Sequence, residues 1–389
     1  MLPDIERILL GPGPSPVTPR IMRAMAAPIL SHLDPAMLAL VDDVRARLRW
    51  AFRAPQEALT LAVSGTGTAG TETAVAGLVA PGTRVLAVVS GYFGERLVEL
   101  CTRYGANVTR VDTSWGRAVD PDAVRRALKA HGADIVTIVH AETSTGVLHP
   151  VEAVAAAARE QGALTLVDAV TSLGGHPLEV ALWQIDACVS CTQKGLGAPS
   201  GLAPLTFGAR ARERAAGLDS PRSFYLDLGL LESYWVRRKY HHTISAPLVY
   251  ALREALVVIE EEGLETRWQR HRRHHVALAA GLGAMGLELL PPEGERSWTL
   301  NAVCVPDGID DARVRRHLLD VFNIEIGAGL GPLAGRIWRV GLMGHGANAQ
   351  YVLVFLSALE RALREQGFRV PPGTGTAAAG DALASLAQP

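Results

Sequence analysis

From residue 58 onward the chain alternates short β-rich apolar runs with helical stretches. The runs are ALTLAV (58–63), RVLAVV (84–89), ADIVTIVH (133–140), ALTLVD (163–168) and IDACVS (185–190). Strands that recur with helical patterns between them build βαβ units, because a parallel neighbour is reached only through a crossover long enough to hold a helix. The pattern predicts an α/β fold with a mainly parallel sheet covered by helices on both faces. Such sheets place ligand sites outside the carboxyl ends of their strands, so the residues that follow each run matter most. Local punctuation agrees: Asp120-Pro121 supplies an N-cap and an N1 proline before AVRRALKAHG, whose glycine closes the helix.

Beyond the sheet region, APLVYALREALVVIEEEGLETRWQRHRRHHVALAAGLGAMG reads as one long helical stretch that bridges two domains. NAVCVP, VRRHLLDVFN, RIWRVGLM and VLVFLSALERALREQG then supply an α+β set for a smaller domain. The expected division is an N-terminal arm over 1–20, a large domain over 21–262, a small C-terminal domain over 263–370 and a tail over 371–389. The tail, PPGTGTAAAGDALASLAQP, is poor in bulky apolar residues and is expected to be disordered. Within RHRRHH, His271 and His275 stand at i, i+4, but no carboxylate pattern completes a metal site and the arginines would repel a dication. The segment reads as a solvated basic helix face, and His241 and His242 as packing or hydrogen-bonding residues.

Thirty-eight cationic and 39 acidic side chains leave a net charge of −1, with no long-range field to capture nucleic acid or an anionic membrane. Small-molecule chemistry becomes the expectation. The opening MLPDIERILLGPGPSP has neither the charged n-region nor the continuous apolar h-region of a signal peptide. No apolar run approaches the roughly 18 residues that span a bilayer. With four cysteines, too few for a disulfide scaffold, the sequence predicts a soluble protein of the cytoplasm. Cys188 and Cys191 have CxxC spacing, yet their odd separation in a strand-like run points them to opposite faces, as buried structural thiols.

The motif SGTGTAG (64–70) lies between a strand and a helix, and its Gly65, Gly67 and Gly70 satisfy G-x-G-x-x-G. A dinucleotide site also needs an acid at the end of the next strand, whereas RVLAVV ends in Ser90-Gly91, with no carboxylate until Glu95. What remains is a glycine-rich turn that offers backbone N–H groups and threonine hydroxyls to a phosphate at a helix N-terminus. Asp168 ends ALTLVD, at the carboxyl edge of the sheet. One strand later comes Lys194, in CTQKGLGAPSG, ringed by small residues. The chain holds only three lysines, and the others are in an exposed-looking helix (Lys129) and in the charged run RRKY (Lys239). A phosphate cup, a strand-end carboxylate and a secluded lysine are together what pyridoxal phosphate needs: a Schiff-base amine, a partner for the pyridine nitrogen and a phosphate anchor.

GPGPSP, SGTGTAG, SGYFGER, HAETSTGV, VDAVTSLGG, TQKGLGAPSG, YHHT, GAGLG and RVGLMG together resemble the alanine–glyoxylate/serine–pyruvate aminotransferases, class V of the fold-type-I pyridoxal phosphate enzymes. The resemblance runs from about residue 8 to 366. It implies a homodimer with shared active sites, in which Lys194 is the Schiff-base lysine and Asp168 the pyridine-nitrogen partner. Thr66, Gly67 and Thr68 would sit at the phosphate and Gln193 beside the lysine. Phe93 falls where the family stacks an aromatic ring on the cofactor, often tryptophan. Thr143 matches a hydroxyl that contacts the cofactor, and Tyr240 and Thr243 would reach the phosphate of the neighbouring subunit's cofactor. Two departures stand out: Ser200 replaces a proline common in relatives, and the residues after Val370, ending in the non-peroxisomal AQP, match nothing in the family's usual ending.

Arg339 matches the family's substrate-carboxylate arginine, and its local pattern points the same way. In RIWRVGLM, period-two alternation puts Trp338, Val340 and Leu342 on one face and Arg339 on the other, beside Gly341, which leaves room for a ligand. A planar guanidinium suits bidentate carboxylate binding. The expected activity is transfer of an amino group from L-alanine or L-serine to glyoxylate or another small 2-oxo acid. The alternatives are an (S)-ureidoglycine–glyoxylate or other small amino acid aminotransferase, against which the intact YHHT argues, and, more distantly, an NAD-dependent oxidoreductase.

Overall fold

In the computed structural model, which describes residues 5–218 and 223–386, each apolar run is a strand buried along nearly its whole length. Ahead of the sheet lie β1 (Ile8–Leu9), α1 (Pro19–Met25) and α2 (Pro35–Ala51). The sheet region runs β2 (Leu59–Ser64), α3 (Gly67–Leu78), β3 (Arg84–Val89), α4 (Tyr92–Arg103), β4 (Asn107–Asp112), α5 (Pro121–His131) and β5 (Ile135–Val139). A hairpin of β6 (Ala141–Glu142) and β7 (Val147–Leu148) precedes α6 (Val151–Glu160), β8 (Leu164–Asp168) and β9 (Ala187–Val189). β10 (Leu202–Phe207), α7 (Ala209–Ala216) and α8 (Leu228–Trp235) follow.

Seven strands line up in the order β2-β10-β9-β8-β5-β3-β4. All neighbours are parallel except β10, which is antiparallel to both β9 and β2. The carboxyl ends of β2, β3, β5, β8 and β9 therefore share one edge. The two strands that apolar runs do not reveal have physical reasons to be missed. β4 is the outermost strand and carries the polar sequence NVTRVD, while β10 contains Pro204, a residue that argues against an interior strand. α5 begins and ends where Asp120-Pro121 and Gly132 predict, with Asp120 accepting from Asp122 N and Gly132 at φ 63°.

The long helical stretch is two helices, α9 (Ala246–Glu262) and α10 (Leu264–Ala284), parted by Gly263 at φ 82°, a conformation that side-chain-bearing residues rarely adopt. After them come β11 (Leu300–Cys304), α11 (Asp311–Phe322), β12 (Ile324–Glu325), β13 (Gly327–Ala328), β14 (Ile337–Gly341), α12 (Ala349–Arg364) and α13 (Thr374–Ser385). β11, β14 and β13 form an antiparallel sheet, and β1 reaches across to pair in parallel with β12. There are two main apolar cores. One runs from Met37 in α2 to Trp268 in α10, and the other joins Leu10 of the arm to Trp338, Val340 and Phe355.

Two expectations are corrected. The stretch after Val370 is not a disordered tail: residues 374–385 form α13, although 387–389 lie outside the described residues. Its lack of bulk is what lets it dock closely. A Cβ on Gly375 would lie 2.6 Å from Met285 Sδ, and Glu360 accepts from Gly373 N at 2.9 Å and Gly375 N at 2.7 Å. The histidine-rich segment is likewise not a solvated face, because α10 turns Arg267, His271, His274 and His275 inward. His271 Nδ1 donates to Arg267 O (2.8 Å) and its Nε2 accepts from Gly344 N (3.1 Å), while His275 Nδ1 donates to Asn301 Oδ1 (2.6 Å).

These join a buried set that includes His140, His149 and His176. Burial lowers His140 to about 3 and both His149 and His275 to about 4, and takes His176 and His271 well below the usual imidazole value. Unfolded, they titrate near 6.5, so below that pH the unfolded chain binds more protons than the folded one. Stability is then complete above about pH 6.5, and each histidine removes about 1.4 kcal/mol per pH unit below it, until its folded pKa is reached. The urea midpoint is expected to stay level between pH 8 and 7 and to fall steeply from about pH 6.5 to 5. A level midpoint down to pH 5 would show that these imidazoles are solvated.

Candidate active site

Where β2 ends, Thr66 is the N-cap of α3, yet no side chain among the described residues caps the helix's first free N–H groups. Gly67 is required for space, since a Cβ there would lie 2.9 Å from Val170 Cγ2 and 3.3 Å from Cys191 Cβ. The first turn of α3 is thus packed onto the segments that leave β8 and β9. The side chains of Thr66 and Thr68 remain exposed.

Asp168 is buried at the end of β8, its Oδ1 accepting from Val170 N at 2.9 Å. Burial pushes its carboxyl up to about 6 against the Val170 N–H; Glu142 adds to the rise, and Arg96 and Lys194 oppose it. Lys194 lies in the turn after β9, and its Nζ donates to Pro12 O of the N-terminal arm. Burial lowers the pKa of this ammonium; Arg339 and Arg96 add to the effect, while Cys191 and Asp168 counter it. The arm is tied to the same turn, with Ser15 N donating to Gln193 O and Ser15 Oγ to Lys194 O, both at 2.8 Å. Gly13, at φ 105°, admits no side chain: a Cβ would lie 2.4 Å from Nζ. Behind the turn, buried Arg267 donates to Gly174 O (3.0 Å) and Gly195 O (2.7 Å).

Arg339 extends from β14 on the face opposite Trp338 and Val340, as its alternation predicts, and its Nε donates to Ala328 O at 2.7 Å. Burial lowers it to about 10, against the pull of Glu142 and Glu325. The space beside Gly341 is not left for a ligand: Gly11 O would lie 2.1 Å from a Cβ there, so the arm itself takes that room.

Across the sheet edge, Phe93 opens α4, and Glu142 Oε2 accepts from Phe93 N (3.2 Å) and Gly94 N (3.1 Å). Thr143 is buried with its Oγ1 2.5 Å from Thr171 Oγ1. Tyr240 and Thr243 do not join the cluster. Both are exposed on the segment between α8 and α9, with the Tyr240 ring 5.2 Å from that of His32. Their neighbour His242 bonds Ser64 Oγ at 2.8 Å, next to the phosphate-type turn.

A family model for class-V aminotransferases matches residues 21–334. The chain belongs to the class-V aminotransferases. Among its relatives, the (S)-ureidoglycine–glyoxylate transaminase of Bacillus subtilis is 40% identical, with 96% of this chain and 95% of that one covered. The alanine–glyoxylate aminotransferase of Drosophila melanogaster is 35% identical over 92% of this chain and 93% of its own. Among solved structures, an alanine–glyoxylate aminotransferase from Nostoc superposes with a TM-score of 0.91 at 46% identity, covering 94% of this chain and 98% of that one.

The cofactor of this class-V aminotransferase is pyridoxal 5′-phosphate, and its fold is the fold-type-I α/β arrangement. The residues present suit that group. The uncapped N-terminus of α3 suits a phosphate, the Gln193 Oε1 is buried without a partner among the described residues, and a buried carboxylate at Asp168 calls for a cationic neighbour such as a protonated ring nitrogen. Several contributors escape sequence reading: the Pro12–Ser15 stretch, Glu142, Arg267 and Glu325. Only GPGPSP and HAETSTG carry a visible trace of them, in glycines between prolines and in a lone acid among small residues. No described helix is long and apolar enough to cross a membrane.

Proposed function

We propose that this aminotransferase moves the amino group of L-alanine or L-serine to glyoxylate or another small 2-oxo acid, as a cytoplasmic homodimer. When bound, pyridoxal phosphate supplies the carbonyl carbon that carries the amino group and a ring that acts as electron sink. Lys194 is the attachment amine and the general acid–base: its lowered pKa keeps more of it neutral, ready to take the proton from the donor's Cα. Asp168 remains anionic at neutral pH and holds the ring nitrogen's proton. Thr66, Gly67 and Thr68 hold the phosphate, Gln193 and Thr143 bond the cofactor, and Phe93 packs on its ring. Arg339 receives the substrate carboxylate.

The observation that carries the small-substrate reading is the arm: Pro12 O meets Lys194 Nζ, and Gly11 O fills the room beside Gly341, two positions along β14 from Arg339. The homodimer is supported by exposed apolar surface around the YHHT segment, where Phe224 is 75% exposed and Tyr240 62%. A partner's Tyr240 and Thr243 then complete each phosphate site. Four free thiols support a reducing compartment. The B. subtilis relative favours a second reading, with (S)-ureidoglycine as donor. Assaying alanine, serine and (S)-ureidoglycine against glyoxylate and pyruvate decides between them; fastest turnover with ureidoglycine would overturn the first.

Arg339→Lys keeps a cation but loses the fork that grips a carboxylate through two bonds. KM for both donor and acceptor is expected to rise by about 10- to 100-fold, with a smaller change in kcat. Unchanged KM for both would remove Arg339 from the substrate site.

A further inference from the structure

Arg96 lies on the first turns of α4 and donates from Nη1 to Thr68 Oγ1 at 3.2 Å. Its guanidinium carbon is 4.9 Å from the centre of the Phe93 ring and 5.6 Å from that of Tyr92, a placement that steadies the planar group against the aromatic pair. Most arginines around it are matched to acids. The adjacent Glu95 is taken by Arg110 at 2.7 Å, and Arg103 pairs with Glu99 at 2.6 Å. Arg96 takes part in none of the ion pairs formed among the described residues. Its charge nevertheless reaches Asp168 and Lys194. A half-buried guanidinium, steadied by two rings and bonded to the hydroxyl of an uncapped helix turn, is a cation prepared for an anion that the described residues do not supply.

We propose that Arg96 is the phosphate-neutralising residue of the cofactor site, its guanidinium bonding the cofactor's phosphate dianion beside Thr68. The inference rests on the reading of Thr66–Thr68 as the phosphate turn. It adds to that turn the full positive charge that N–H groups and hydroxyls lack. A dianion held only by neutral donors would have to shed its hydration without an opposite charge, whereas a guanidinium fork offers paired, charge-assisted bonds.

The test uses the full-length chain freed of cofactor and titrated with pyridoxal 5′-phosphate or with pyridoxal, which has no phosphate, read by the visible absorbance of the bound ring. Arg96→Gln is expected to weaken pyridoxal 5′-phosphate by about 10- to 100-fold and to leave pyridoxal within about twofold of the parent. Arg96→Lys, which keeps the charge without the fork, is expected to fall between, and it carries the comparison if the glutamine variant does not fold. Thr66→Ala separates the two layers of the argument. If Thr66→Ala weakens the phosphate form selectively and Arg96→Gln does not, the assignment of Arg96 is overturned while the turn survives. If the parent binds pyridoxal as tightly as the phosphate form, the turn reading fails and the proposal with it. An equal loss for both ligands in Arg96→Gln also overturns it, showing that Arg96 only supports Phe93.

Discussion

Lys194→Ala is expected to abolish the visible absorbance of the lysine-linked cofactor and to lower turnover by about 10⁴-fold, the upper range for loss of a positioned acid–base that is also the attachment amine. The other two lysines cannot substitute, since Lys129 and Lys239 are exposed on α5 and past α8. Lys194→Arg is expected to be equally inactive: it keeps a cation near Asp168, but a guanidinium does not become a nucleophilic amine near neutral pH. Alanine removes the Nζ contact with Pro12 O but keeps the backbone tether of the arm, because the Lys194 carbonyl still accepts from Ser15 Oγ. Loss of activity would therefore report on the amine and not on a displaced arm. A Lys194→Ala protein that keeps its absorbance band and turns over within tenfold of the parent would sink the assignment.

Asp168→Asn is expected to lower kcat by about 10²- to 10³-fold, the usual consequence of removing one preorganised charge at a reacting centre. The asparagine keeps the shape, and its Oδ1 can still accept from Val170 N, so the sheet edge is undisturbed. The same change should stabilise the cofactor-free chain. Burial raises the Asp168 carboxyl from 3.8 to about 6, so the folded state favours the protonated form; that contribution is full below about pH 3.8 and is lost as pH rises through 6. At pH 8 the ionised side chain therefore costs about 3 kcal/mol that a neutral amide does not. An Asn variant both slower and higher-melting without cofactor separates a catalytic carboxylate from a structural one. A variant that is slower and lower-melting would mean that Asp168 serves the fold.

Much of this is legible in the sequence. The strands at 84–89, 135–139 and 164–168 are apolar runs whose burial on both faces writes itself into composition, and the Asp120 and Gly132 boundaries follow from capping geometry alone. The candidate Schiff-base lysine was legible through scarcity, since only three lysines are available and one follows an interior strand. α13 was hidden because alanine and glycine register as absence of core, although small residues are what close helix packing requires. The inward turn of His271 and His275 was hidden for a related reason: side-chain type predicts hydration on average, and a particular helix face is decided by what packs on it.

The sequence by itself determined most element types, the mainly parallel α/β character of the sheet and which residues are the candidate reactive groups, because backbone sterics, capping and side-chain chemistry act over a few residues. Only the tertiary structure decided that Pro12 meets Lys194, 182 positions away, that Gly11 takes the space beside Gly341, and that Arg96 meets Thr68 with no ion pair among the described residues. Those contacts depend on how separate elements pack, and they set solvent access and local charge. The residues supply the chemistry; burial sets the protonation states in which it operates.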